Sequence, residues 1–397
     1  MSQIFNPHNK ILCHLDKVDE LLNNKNPSPV TMEIDPSNAC NHSCPFCISG
    51  HLHLDKYKGT ELFNRTMLKK DIFKNLVDDL TSMNIEAINW TGGGEPTMNP
   101  ALGEMIELIN KNSKIQMGMF SNGTMFERFN LFETIVNCLS WIRISMDAGN
   151  ADSYDKLRVT NKTTNFDLVV KNILALIETK KRLKSNITIG VGFVVTKENY
   201  NEIIDFSNLF KDTEVDYCQF KPEIIQIERD ETLDKSKEQI SSDFWLKDVL
   251  TKLDEAKNIL GDKYECNAYK IDDLIVDIKN YGRNYKQCLG SQLQPCIGAD
   301  GNVYVCTNHR GHKKYSYGSL YEKSFKEIWN DMQKRSSIMN QINNVEKFSN
   351  CTHLCKPHES NKILYQIKEN KKNPEYMRDL KEKTKNISKT VKHKNFI

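Results

Sequence analysis

From residue 30 to residue 222 the chain repeats one pattern, a short run of β-branched and aromatic residues followed by a stretch with helical spacing. Alternation of this kind constrains the fold more than any other feature, because it builds βα units on a parallel sheet. Six strands are predicted, at 30–35, 86–91, 115–120, 141–146, 187–195 and 215–220. Between them Phe73, Leu76, Val77 and Leu80 fall at i, i+3, i+4 and i+7, and Phe166, Val170, Ile173 and Ile177 repeat the spacing with one wider step. Both stretches therefore read as amphipathic helices. Pro100 suits the first turn of a third. The predicted class is α/β, a partial (β/α)6 TIM-type barrel over residues 30–222, with its chemistry in the loops after the C-terminal ends of the strands.

Outside that region the character of the chain changes. Residues 1–29 form an N-terminal extension without the apolar core of a signal peptide, and no run reaches the ~18 apolar residues of a membrane span, so the chain reads as cytoplasmic. Residues 223–285 are charged and mostly helical in character, with one strand-like stretch at 269–278. Residues 286–358 are rich in glycine, cysteine and turns, and Ala299-Asp300-Gly301-Asn302 marks a hairpin into Val303-Tyr304-Val305. The last segment, 359–397, is a basic tail with no sustained apolar stripe, expected to be solvated and partly disordered. Its residues 368–397 hold ten Lys/Arg against four Asp/Glu, while the whole chain is only +3, so the remainder is slightly acidic. Such a balance does not mark a dedicated nucleic-acid binder.

Twelve cysteines are many for a cytosolic chain. Disulfides are rare in that compartment, so clustered thiols point to metal or redox chemistry. Cys40, Cys44 and Cys47 form one cluster in the loop after the first strand, and Cys288, Cys296, Cys306, Cys351 and Cys355 form a second. Three thiolates at the first spacing can hold three corners of a [4Fe–4S] cubane, which leaves one iron open to an exogenous ligand. A zinc or structural iron–sulfur loop is the competing reading, with His42, His51 or His53 as a fourth ligand.

At Cys40-Asn-His-Ser-Cys44-Pro-Phe-Cys47 the sequence resembles the radical S-adenosylmethionine (SAM) superfamily, Phe46 being the aromatic residue before the last cysteine. The resemblance implies that SAM chelates the open iron through its amino and carboxylate groups and is cleaved to a 5′-deoxyadenosyl radical. Further matches follow in order. Gly92-Gly93-Gly94-Glu95-Pro96 resembles the motif that binds the SAM amino group, where the Glu95 carboxylate or a backbone carbonyl can accept from an ammonium. Asn122, in Ser121-Asn122-Gly123-Thr124, ends the third strand. Ser145-Met146-Asp147 resembles the segment that contacts the ribose and carboxylate, and Arg158 is placed like the arginine that pairs with the SAM carboxylate. The strand Gly190-Val191-Gly192-Phe193-Val194-Val195 looks like an adenine-facing strand.

The second group resembles the auxiliary-cluster region of the SPASM and Twitch subfamily, which implies a small Cys-rich domain after the barrel. Its five cysteines cannot ligate two full clusters, so the resemblance implies one auxiliary [4Fe–4S] cluster held by Cys288, Cys306, Cys351 and Cys355. The first intervals are similar to those of the 2-deoxy-scyllo-inosamine dehydrogenase type, while the final pair is spaced CxxxC instead of CxxC. Cys296 is either a ligand or a small buried hydrophobe. Structural zinc is the alternative for this domain.

Only about 30 residues precede the first strand, short for a leader-binding domain. The expected substrate is therefore a small polar metabolite, such as a sugar, aminocyclitol or nucleotide-sugar, with the auxiliary cluster assisting oxidation and a flavodoxin- or ferredoxin-type electron donor. Two alternatives remain: a maturase of peptide or protein side chains, and a non-catalytic iron–sulfur or zinc protein that binds RNA through the tail. Three residues of the sixth strand and its end are catalytic candidates. Cys218 is either a hydrogen-atom donor to a substrate radical or core packing. Lys221 and Glu223 either orient a substrate hydroxyl and take a proton or form a salt-bridged rim.

Overall fold

A computed structural model describes residues 10–159, 165–223, 244–266, 285–343, 351 and 355–397. The six expected strands are present as β1 (Thr31–Ile34), β2 (Ala87–Trp90), β3 (Gln116–Ser121), β4 (Trp141–Ser145), β5 (Thr188–Val195) and β6 (Tyr217–Pro222). Each lies parallel to the next in chain order. The helices are α1 (Leu15–Leu22), α2 (Phe73–Ser82), α3 (Leu102–Asn112), α4 (Phe132–Cys138), α5 (Ala151–Arg158), α6 (Asn165–Leu183), α7 (Ile203–Phe210), α8 (Leu250–Leu260), α9 (Phe325–Asn330), α10 (Met332–Asn343), α11 (His358–Asn370) and α12 (Pro374–Thr390). The predicted stripe Phe73, Leu76, Val77 and Leu80 is the buried face of α2. Pro100 stands just before α3, whose N-cap is Ala101, and not within its first turn. Asn99 sets that turn, accepting from Ala101 N at 3.0 Å while its amide donates to Pro36 O and Leu68 O.

Strand alternation divides the barrel into two environments. Ile142 and Ile144 of β4 join the apolar core under the helices, with Val191 and Phe193 of β5 and Phe220 of β6. The intervening residues face inward. There Trp141 lies across Gly118 and Tyr217 across Gly190: an added Cβ would meet either ring at 2.0 Å, so these two positions accept only glycine.

The sheet continues past both ends of the barrel. β7 (Tyr264–Cys266) adds in parallel to β6. On the other side β8 (Cys296–Ile297) pairs in parallel with β1, and the expected hairpin is formed by β8 and β9 (Asn302–Tyr304), followed by β10 (Ser316–Ser319). The Cys-rich region is thus joined by backbone hydrogen bonds to the strand that precedes the first cysteine loop. The predicted strand-like stretch 269–278 lies outside the described residues.

The C-terminal segment corrects the expectation of a solvated tail. Among its lysines, Tyr376, Met377, Leu380 and Ile387 supply a narrow apolar stripe, which packs with Ile11, Leu12, Val18, Leu21, Leu293 and Leu364 in a second core. The chain end then closes the N-terminal mouth of the barrel. Phe396, buried, meets Trp141 edge-on at 5.5 Å. Asn395 O accepts from Thr31 Oγ1 at 2.6 Å, and the ammonium of Lys10 donates to Phe396 O at 3.3 Å.

Candidate functional site

The loop after β1 carries the first three cysteines. Short turns fold it, with Cys47 N donating to Cys44 O at 3.1 Å and Gly50 N to Cys47 O at 3.0 Å. Cys44 is buried, and Cys40 and Cys47 are half-buried. Burial pushes the Cys47 thiol up to about 12, with the charge of Cys44 adding to it. Burial also raises Cys40, to which Glu95, Cys44 and Cys47 add. The thiols thus sense one another's charge, and thiolates placed this way need a bound cation. They are not gathered around one point: among the described residues no three His, Cys, Asp or Glu side chains could hold a single metal ion. A cubane holds its thiolates at separate corners, farther apart than ligands around one ion.

The loop after β2 lies directly against this one. Gly94 N donates to Ser37 O and Glu95 N to Ala39 O, each at 2.9 Å. A Cβ on Gly93 would meet Asn38 Oδ1 at 2.2 Å, and one on Gly94 would meet Ala39 O at 2.1 Å. Only bare backbone allows so close an approach. Glu95 itself is saturated from inside the protein. Its Oε1 accepts from Thr97 N, Thr97 Oγ1 and Ser121 Oγ, and its Oε2 from Asn122 N at 2.7 Å. Asn122 in turn donates to Asn41 Oδ1 at 2.8 Å, tying the end of β3 to the cysteine loop.

Beyond β4, Ser145 is half-buried. Asp147, in the left-handed region at φ +58°, is ion-paired with Arg158 of α5. Its other oxygen accepts from Val194 N at 2.7 Å. Arg158 reaches the cysteine loop: one terminal nitrogen lies 3.7 Å from Cys44 Sγ, and the guanidinium stands 5.9 Å from the centroid of the Phe46 ring. Among the buried polar atoms around this loop without a hydrogen-bond partner are Asn38 Oδ1, both ring nitrogens of His42 and Arg158 Nε. Burial, reinforced by the Arg158 charge, lowers His42 to about 3, so its ring is neutral. Unpartnered polar atoms beside a thiol set are the environment that a polar, metal-chelating guest would complete.

On the far wall, Arg143 spans the inner face from β4 to Gln219 Oε1 of β6, its guanidinium 4.4 Å from the Phe120 ring centroid. Lys221, half-buried two residues on, is lowered to about 7 by burial and then by Arg143. Glu223 follows at the exit, its N–H donating to Val195 O at 3.2 Å. Cys218 is a correction. It belongs to the opposite face of β6, fully buried in the core under the helices, and burial pushes its thiol up to about 12. A thiol there is packing and cannot reach a substrate radical.

In the second group, burial raises Cys306 to about 12, with Cys288 and then Cys351 adding to it. Asn361 Nδ2 donates to Cys288 Sγ at 3.4 Å. Cys355 is buried, and residues 352–354 between it and Cys351 lie outside the described residues. Cys296 points elsewhere, to Asp35 Oδ2 at 3.9 Å.

Sequence reasoning missed the ionic lining that joins the two cysteine regions. Glu33 accepts from Asn89 Nδ2 at 2.6 Å and is ion-paired with Lys356, the residue after Cys355. Asp35 is ion-paired with Arg310 at 3.3 Å. The signal was present in Thr31-Met32-Glu33-Ile34-Asp35, where a fully buried strand places acids at alternate positions.

Comparison with known proteins matches both regions. Residues 34–208 match the radical SAM superfamily, and residues 288–356 match an iron–sulfur cluster-binding domain, SPASM. The cysteine-type anaerobic sulfatase-maturating enzyme of Clostridium novyi is 26% identical over 342 residues, covering 81% of this chain and 85% of that enzyme. Fe-coproporphyrin III synthase of Methanosarcina barkeri is 23% identical over 310 residues, covering 74% and 71%. Among solved structures, anSMEcpe with bound AdoMet superposes with a TM-score of 0.54 at 20% identity, over 82% of this chain and 88% of that one. Streptococcus suis SuiB bound to the precursor peptide SuiA gives 0.56 at 15% identity, over 90% and 76%.

Proposed function

We propose that this chain, which belongs to the radical SAM superfamily and carries an SPASM iron–sulfur cluster-binding domain after its barrel, is a maturase that modifies a side chain of a peptide or protein. Its cofactors are SAM and [4Fe–4S] clusters. One observation carries the reading: the similarity to the sulfatase-maturating enzyme runs through barrel and cluster domain alike, over 85% of that enzyme. That relative, similar in length and in both parts, acts by its name on a protein, so a short stretch before β1 does not argue for a small metabolite. A polypeptide also suits the rim of the site, where Ile48 and Val159 expose 37% and 44% of their surface beside Cys47 and Arg158.

In this reading Cys40, Cys44 and Cys47 hold the cluster whose chemistry, with SAM, is the supply of a 5′-deoxyadenosyl radical. The chain's own residues orient the reactants. The backbone of Gly92–Gly94 receives the SAM amino group, since the Glu95 carboxylate is spent on four internal donors. Arg158, held by Asp147, offers its free Nε to the SAM carboxylate. Asn122 and Ser145 line the ribose side. Lys221, with Arg143 and Gln219 behind it, faces the substrate; a lysine lowered to about 7 can accept a proton near neutral pH. Cys288, Cys306, Cys351 and Cys355 hold the second cluster.

The test is SAM cleavage by the reduced, iron-loaded protein. Short peptides with a central cysteine or serine should raise 5′-deoxyadenosine formation, and a deuterium label on the reacting residue should appear in it. Stimulation by aminocyclitols or sugars and by no peptide would overturn the proposal.

A further inference from the structure

Two loops that serve different thiol sets are clasped together by one side chain. Arg310 lies four residues after Cys306, in the turn that this cysteine opens, where His309 N donates to Cys306 O at 3.2 Å. Its Nε donates to Thr307 O at 3.0 Å, which fixes the guanidinium to the auxiliary side. Its terminal nitrogen stands 3.5 Å from Ser49 Oγ, and Ser49 is two residues after Cys47. Arg310 therefore touches both the loop that carries Cys47, at Ser49, and the turn that follows Cys306, at Thr307. The guanidinium is anchored from below by Asp35 at 3.3 Å. Both partners are buried, Arg310 to 5% and Asp35 to 0% exposure, and Asp35 also meets the thiol of Cys296.

We propose that Arg310 is a positioning residue shared by the two iron–sulfur clusters, placing one fixed positive charge between them so that both reduction potentials are set by the same ion pair with Asp35. Reduction adds negative charge to a cluster, and a cation nearby stabilises the reduced state. Inside a protein that interaction is weakly screened. Cluster potentials respond to net charge and hydrogen bonds around the sulfurs, so a group that touches both loops moves both. Cys296 meets this bridge through Asp35. None of this depends on the substrate, so it stands apart from the maturase reading.

The experiment is an EPR-monitored potentiometric titration of the anaerobically reconstituted full chain at pH 8, with SAM addition identifying the cluster it binds. Arg310→Met removes the charge at similar length and should shift both midpoints to more negative values. Arg310→Lys should restore them part of the way. Asp35→Asn leaves the guanidinium uncompensated and should shift both midpoints in the opposite direction. Iron content equal to that of the unmodified chain establishes that both clusters are present. A shift confined to one cluster, or none in iron-loaded Arg310→Met, overturns the proposal. If Arg310→Met does not load iron, unmoved potentials in loaded Asp35→Asn overturn it equally.

Discussion

Replacing Asp147 by Asn isolates the ion pair that holds Arg158 against the cysteine loop. Asn tolerates the left-handed backbone at φ +58° at least as well as Asp, so the change is electrostatic and not conformational. The Asn amide has one oxygen where two are needed, one for Val194 N at 2.7 Å and one for the guanidinium. Whichever way it turns, one buried donor is left unpaired, at a cost of about 1–3 kcal/mol. Arg158 also loses the countercharge in a site where it is only 6% exposed. Breaking a buried pair from one side costs about 3–5 kcal/mol in total. Taking about 3 kcal/mol, and about 2–4 °C per kcal/mol for a cooperative unit of the barrel's size, the melting temperature should fall by roughly 6–12 °C. SAM affinity should fall with it, by about tenfold or ~1.4 kcal/mol, because Arg158 is no longer aimed. Anaerobic thermal unfolding and equilibrium SAM binding read the two effects separately. A melting temperature within 2 °C of the parent, roughly the scale of 1 kcal/mol or less, would refute the ion pair as a brace. A large fall in melting temperature with unchanged SAM affinity would refute Arg158 as a SAM contact.

Phe396→Ala, at the far end of the barrel, should cost about 3 kcal/mol in thermal or denaturant unfolding, as deletion of a buried aromatic does; a loss under 0.5 kcal/mol would return the tail to solvent. Cys218→Ala should lower stability by about 1 kcal/mol and leave the product of the radical reaction unchanged, since the thiol faces the helices; loss of product with 5′-deoxyadenosine still formed would contradict that placement. Lys221→Met carries a pH signature. The folded pKa of about 7 lies below the ordinary 10.5, so the charged lysine burdens the folded state fully below pH 7 and less as the pH rises toward 10.5. The variant should therefore gain most stability over the parent at pH 6 and little at pH 9.5, and an equal gain at both would dismiss the buried charge as the cause. Cys40→Ala should abolish 5′-deoxyadenosine formation while the second cluster still loads, which iron counting of about four per chain would check.

The strands and the cysteine motif were legible because each rests on local spacing: two residues per pleat, 3.6 per turn, and thiols within eight positions of one another. Where local spacing was used consistently it went further than the expectation drawn from it. In Tyr217-Cys218-Gln219-Phe220-Lys221 the parity alone places Cys218 with Phe220 on one face and Gln219 with Lys221 on the other. Grouping Cys218 with Lys221 as reactants contradicted the period that identified the strand. Other features carry no local mark. Asp35 and Arg310 are far apart in sequence and meet only because β8 adds to β1, a pairing that no turn signal announces.

The tail shows a third case, in which the pattern is present but too sparse to be read alone. Four apolar residues among five basic ones describe a solvated helix unless a partner surface is known, and the partner here is Ile11 and Leu12 from the opposite end of the chain. A barrel whose strands begin with Thr31, Ala87, Trp141 and Thr188 leaves its N-terminal mouth lined by a ring, small residues and two hydroxyls that need covering. The last residues supply that cover, with Phe396 on Trp141, Asn395 O on the Thr31 hydroxyl, and His393 on the Thr188 hydroxyl at 2.9 Å. Under the proposed function the substrate approaches the opposite, cysteine-bearing end, where Ile48 and Val159 are exposed.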